Sequence, residues 1–206
     1  LVKNHWYTMT TGLGVQNVGS AETTVTFSFY PQIAGPLPSC QFTRLVKSFA
    51  ATVVYDDSCL GASFLGSALV TADQPLVGMA NEASQDGRFK KAYSSFQSGS
   101  LTAYAPLVYR AFNESGYTWN SGVGVQNLTN QTANVTLTWY NTDGTQSGNP
   151  TPATINPRGS QNFSPPLDNF KGSVVITANQ PIAAVVNVVN TASTGDTHAV
   201  YNASNR

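Results

Sequence analysis

The chain has 206 residues, 41% of them apolar and only 10% charged, with ten basic and ten acidic side chains and no net charge at neutral pH. Without a basic field nothing gathers nucleic acid or anionic lipid, and the many aromatic and β-branched residues exclude a charge-rich disordered chain. The length suits one large domain or two of about 100 residues.

In chain order, Leu1, Val2, Lys3 and Asn4 form a short extended opening. Thr23, Val25, Phe27 and Phe29 then alternate with Thr24, Thr26, Ser28 and Tyr30, the period of two of an antiparallel strand with one solvated face. Next comes an extended, Pro-bearing region holding Cys40 and Cys59, which lie in no Cys-x-x-Cys pair and near no histidine. A local disulfide is therefore expected rather than a metal site, and with it an oxidising compartment. Two buried free thiols are the alternative. The only basic cluster, Arg88, Lys90 and Lys91, reads as a solvated loop face.

Residues 101–110, with Tyr104-Ala105-Pro106-Leu107-Val108, form a candidate first strand of a second unit. Ala133, Val135, Leu137 and Trp139 alternate with Asn134, Thr136, Thr138 and Tyr140, and Asp143-Gly144 signals a hairpin. Residues 171–178 and 182–190 are more continuously apolar and read as central strands. Thr177-Ala178-Asn179-Gln180-Pro181 reads as a turn between them, with Pro181 opening the next strand. No helix is expected, and no apolar run approaches the ~18 residues of a membrane helix. The N-terminus does not resemble a signal peptide, so an exported form would be the mature chain.

These elements repeat. Residues 7–30 align without a gap on 117–140 with 10 of 24 positions identical, and 64–81 align on 170–187 with 8 of 18, where chance gives one or two. The offset falls from 110 to 106, so the first copy is four residues longer in the stretch that holds both cysteines. The expected fold is all-β: two tandem antiparallel β-sandwich (immunoglobulin-like) domains related by internal duplication, residues 1–100 and 101–206. A jelly roll or a small barrel is the rival.

Three repeated motifs carry a resemblance: Gly-Val-Gln-Asn ending at Asn17 and Asn127, Phe-x-Gly-Ser at Phe64 and Phe170, and Thr-Ala-Asp/Asn-Gln-Pro ending at Pro75 and Pro181. With these the chain resembles tandem immunoglobulin-like β-sandwich repeats of bacterial extracellular surface proteins. That resemblance implies export, repetitive architecture and a surface or adhesive role, and it carries over no catalytic residue.

Chemistry is sparse. His5 and His198 lie near opposite ends, and neither aligns with a histidine in the other copy, so no nucleophilic triad is expected. Asp56, Asp57, Asp73, Glu82 and Asp86 read as turn and loop acids, Asp73 and Glu82 being replaced by Asn179 and Val188 in the second copy. Neither Asp56-Asp57-Ser58 nor Asn141-Thr142-Asp143-Gly144 matches a calcium loop. No catalytic residue, cofactor or metal ligand is expected. Asn17 and Asn127, after Gln16 and Gln126, suit local backbone bonding at strand ends, with sugar binding as the alternative. Asn81 and Asn187, inside apolar strands, are expected to bond buried backbone. Trp139 reads as core, while Trp6 and Trp119 are open to a sugar-platform reading. Sequons at Asn113, Asn127, Asn130, Asn134, Asn162 and Asn202 are candidate glycosylation sites.

The function expected is that of a non-enzymatic extracellular structural protein, a subunit of a cell-surface filament, layer or adhesive stalk. Its partner would be itself, joined head to tail, with surface glycans as a second candidate; nucleic acid and membrane insertion are not expected. The alternative is a carbohydrate-binding or adhesion module of a larger secreted protein. Leu1, Val2, Lys3 and Asn4 match only the tail of residues 101–110. The chain therefore reads as two repeats of a continuing pattern, with that segment as the assembly contact. A shorter first strand is the alternative.

Overall fold

The computed structural model describes residues 2–4, 9–33, 35–55, 59–61, 63–87, 89–191 and 197–205. All regular structure among them is β-strand, and the strands pair antiparallel. The first half contributes β1 (Val2–Asn4), β2 (Met9–Asn17), β3 (Thr23–Pro31), β4 (Cys40–Val46), β5 (Ala51–Val54), β6 (Phe64–Thr71), β7 (Leu76–Ser84) and β8 (Lys90–Ser94). They form two four-stranded sheets in the orders β1-β6-β3-β4 and β5-β2-β7-β8. Alternation decides which face is buried: Val25, Phe27 and Phe29 of β3 pack with Leu13, Val15, Val46 and Ala80 into one core. The β2–β5 and β3–β6 pairs are those of strands B–E and C–F in an immunoglobulin sandwich, and the remaining strands attach to different neighbours.

The second half contributes β9 (Ser100–Arg110), β10 (Phe112–Glu114), β11 (Tyr117–Asn127), β12 (Ala133–Asn141), β13 (Thr151–Ile155), β14 (Ser160–Phe163), β15 (Phe170–Asn190), β16 (His198–Asn202) and β17 (Ser204–Asn205). The turn expected at 177–181 is not there. β15 runs through it as one strand of 21 residues, with a register irregularity between Thr177 and Ile182. Such an irregularity bends a strand, and here it carries β15 from one sheet to the other. Its first part lies between β9 and β12, and its second part between β11 and β16. The pairing orders are therefore β9-β15-β12-β13 and β14-β11-β15-β16, strand for strand those of the first half. Trp139 pairs with Val174 as Phe29 pairs with Ala68.

Packing details follow the same correspondence. Phe64 meets Phe29 edge-on with ring centroids 6.4 Å apart, and Phe170 meets Trp139 edge-on, also at 6.4 Å. Both rings lie over a glycine: a Cβ at Gly66 would collide with the Tyr30 carbonyl oxygen, and one at Gly172 with that of Tyr140. The second core, which includes Trp139, Leu137, Val123, Ile176 and Ile182, is more completely buried than the first. At the Asp143-Gly144 hairpin, Gly144 has φ 85° and Asp143 accepts the Thr145 N–H at 2.9 Å.

The cysteines are joined. Cys40, at the start of β4, is bonded to Cys59 in the β5–β6 connection, with Cα atoms 5.4 Å apart. The bridge ties down the longer segment peculiar to the first half. None of the described residues forms a helix long and apolar enough to cross a membrane.

Candidate functional site

The two halves differ at one strand edge. In the second, β9 runs along β15 from Arg110, opposite Phe170, to Thr102, opposite Thr177. Its Ala103 and Ala105 are 0% and 1% exposed and belong to the core. In the first half, β1 pairs with β6 only from Phe64 to Gly66, in the register that β9 keeps with Phe170–Gly172. Among the described residues no strand lies on that side of Ala68, Leu69, Val70 and Thr71. Ala68 and Val70 are consequently half-buried, whereas their counterparts Val174 and Ile176 are 1% and 0% exposed.

The space beside this edge is a cavity of about 590 Å³. Leu13, Val15, Ala68, Val70, Leu76 and Ala80 line it from inside the first sandwich, and Phe96, Gln97 and Ser98 line it on the far side. The latter follow β8 as Ala203 and β17 follow β16: Ser95 donates its N–H to the Gly78 carbonyl at 2.8 Å, as Ala203 does to Ala184 at 2.9 Å. In the second half β17 flanks β9 there, with Ser204 opposite Tyr104 and Asn205 opposite Ala103. The cavity thus lies where β9 runs in the second half, with apolar side chains on its inner side.

Its mouth reaches the joint between the sandwiches, where Gln126, Leu128, Arg158 and Ala183 also line it. Several bonds cross this joint. Ser67 Oγ donates to the Arg158 carbonyl at 3.1 Å, Asn202 Nδ2 to the Ser94 carbonyl at 2.9 Å, and Lys91 Nζ to Asn187 Oδ1 at 2.6 Å. The Phe89 and His198 rings lie 4.2 Å apart. Ala183 and Val185 face outward from the second sandwich yet are only 4% exposed, while their counterparts Val77 and Met79 are 46% exposed.

Lys91 also forms a buried ion pair with Glu82, 3.1 Å apart, with side chains 3% and 0% exposed. This corrects two expectations: Lys91 is not part of a solvated basic face, and Glu82 is not a loop acid. Glu82 is in phase with Ala80 on β7 and opposite Lys91 on β8, so both side chains point inward. The second half has Val188 opposite Ala199 at this position. Nearby Tyr93 has its phenol pKa pushed far up, first by burial and then by the Glu82 charge. The alternation of β7 and the Glu82/Val188 difference were the sequence signals for this pair.

The other sequence-stated candidates are scattered. His198 meets Phe89 and Thr197, Asp73 is exposed, and Asp86 accepts the Ser84 hydroxyl at 2.5 Å. His5, Trp6, Asp56, Asp57, Ser58, Arg88 and Leu1 lie outside the described residues. Among the described residues no three His, Cys, Asp or Glu side chains converge as metal ligands would. Asn187 bonds Lys91, not the backbone expected of it. Trp139 is buried, its Nε1 donating to Thr151 Oγ1 at 3.1 Å, and Trp119 packs on Tyr109 with ring centroids 5.7 Å apart. Trp139 is thus closed to any ligand, while Trp119 is half-buried. Of the sequons, Asn113, Asn130, Asn134 and Asn162 are exposed and Asn202 is half-buried. Asn127 is 0% exposed with its amide nitrogen bonded to three carbonyls, so the folded chain offers nothing there to glycosylate.

No protein-family model and no curated protein matches the sequence. Among solved structures, the chain is similar to Thermotoga maritima 1070, at 13% identity and a TM-score of 0.44, over 52% of this chain and 96% of that one. It is also similar to the Anabaena sensory rhodopsin transducer, at 20% identity and a TM-score of 0.35, over 42% of this chain and 84% of that one.

Proposed function

We propose that this protein is a non-enzymatic structural unit of an extracellular, linearly repeated assembly such as a surface filament, layer or stalk. The observation that carries the reading is the joint. Residues 95–99 leave β8 of the first sandwich and pass directly into β9, the strand that completes the second. A unit that delivers the next unit's strand can be continued in series, and translational contacts of this kind need not close into a ring. Sparse charge supports the reading, because little repulsion keeps copies apart. The disulfide supports an oxidising, extracellular setting.

Sedimentation velocity over a wide concentration range tests this proposal. Linear assembly predicts a growing series of elongated species. A monomer at every concentration, together with saturable binding to immobilised glycans, would favour the carbohydrate-binding alternative instead.

A further inference from the structure

We propose that Lys91 and Asn187 are the two reactants of an amide cross-link that the folded chain forms by itself, with Glu82 as the general base. The bond joins the two sandwiches covalently at their joint. It is a modification site beyond the assembly reading and does not rest on it.

Three observations bring the reactants together. Glu82 and Lys91 face each other on β7 and β8, with side chains 0% and 3% exposed. β8 is the last strand of its sheet, so the Lys91 side chain can reach past the sheet edge. Asn187 is in phase on β15 with Ala183 and Val185, which face the joint and are each 4% exposed. Lys91 Nζ consequently lies 2.6 Å from Asn187 Oδ1 and 3.1 Å from Glu82 Oε2, although Lys91 and Asn187 are 96 residues apart in the chain. With a C=O bond of about 1.2 Å, the Asn187 Cγ is no more than about 3.8 Å from Nζ, close to a near-attack separation. Glu82 is within the reach required of a general base.

A lysine amine is a nucleophile only when neutral, and burial lowers the cost of passing its proton to a neighbouring carboxylate. Glu82 Oε2 takes one proton from Nζ. The Nζ lone pair then bonds to Asn187 Cγ while the C=O electrons move to Oδ1. A second Nζ proton passes to Nδ2, the Cγ–Nδ2 bond breaks as the C=O re-forms, and ammonia leaves. Lys91 and Asn187 end as one secondary amide and Glu82 ends protonated, the stable form of a buried carboxyl that has lost its cation. No oxidant or cofactor is needed. Before closure the chain holds the Glu82–Lys91 pair in its charged form, and the stability of that pair belongs to the unlinked chain.

The test is made on the whole protein, kept folded until its mass stops changing. The expected result is a mass lower than that of the disulfide-bonded chain by one ammonia. After reduction and trypsin digestion, peptide 91–110 should be recovered joined to peptide 172–206 through Lys91, which trypsin no longer cuts. Lys91→Arg and Glu82→Gln should each keep the ammonia and give the peptides separately. The full mass with cleavage after Lys91, or loss of ammonia with the two peptides still separate, would overturn the proposal. So would an undiminished cross-link in Glu82→Gln. The peptide map of the unaltered protein decides the matter even where a variant does not fold. Every outcome is read on a single chain, so the cross-link and the assembly reading fail separately.

Discussion

Asn17 and Asn127 occupy the same bend of their sandwiches and make the same set of four hydrogen bonds. The Asn17 amide nitrogen reaches the carbonyls of Ala21, Val46 and Lys47, and its Oδ1 accepts the Gly19 N–H. The Asn127 amide nitrogen reaches those of Gln131, Ile155 and Asn156, and its Oδ1 accepts the Thr129 N–H. Both side chains are 0% exposed. A buried amide tying three strand ends together explains the repeated Gly-Val-Gln-Asn motif without any ligand.

Asn17→Ala and Asn127→Ala should each destabilise their own sandwich by about 2–4 kcal/mol, because truncation leaves buried carbonyls unsatisfied. Urea unfolding measures this. A loss well under 1 kcal/mol at either site would show that water takes over the asparagine's role.

The Glu82–Lys91 pair makes a prediction of opposite signs. Lys91→Ala alone should cost about 3–5 kcal/mol, because it removes the buried cation 3.1 Å from the Glu82 carboxylate. The double variant Glu82→Val, Lys91→Ala installs the residues that the second half has in Val188 and Ala199, and should be near neutral or stabilising. It should also loosen the joint, since Lys91 no longer reaches Asn187. Calorimetry gives the stabilities, and small-angle scattering the joint.

Reducing the Cys40–Cys59 bridge should lower stability by about 3 kcal/mol, the loop-closure value for a bridge of this span. The first sandwich alone should melt earlier. Intact mass after alkylation without reductant should show no modified thiol.

Alkali should unfold the protein. Burial pushes the Tyr201 phenol up to about 12, although the Leu107 N–H, donated to its oxygen at 3.2 Å, acts the other way. Tyr93 is shifted in the same direction, by burial and by Glu82. With folded pKa values above the unfolded value of about 10, the contribution is complete below pH 10. It is lost as pH rises through 10 towards 12, where the unfolded chain releases protons that the folded chain retains. Thermal melts between pH 8 and 12 should show the decline, and Tyr201→Phe should make it shallower.

The strands and their buried faces were legible because alternation is a local signal: Val25, Phe27 and Phe29, and Val135, Leu137 and Trp139, face inward as their spacing predicts. The disulfide was legible from cysteine count and spacing. The course of β15 was not, because Asn179-Gln180-Pro181 has turn composition while the bulge there depends on which two sheets the strand joins. The Glu82–Lys91 pair was hidden because two charges nine residues apart look like loop polarity until the β7–β8 register sets them opposite each other. The cavity beside β6 shows only through pairing, although the weak match between residues 1–4 and the tail of 101–110 already marked its place.

Native-state hydrogen exchange of the dilute protein tests most directly whether the first sandwich is open where the second is closed. The amides of residues 68–71 that point away from β3 should exchange orders of magnitude faster than the matching amides of 174–177, which β9 covers. Equal protection of the two segments would contradict the account, for it would mean that the edge of β6 is already paired.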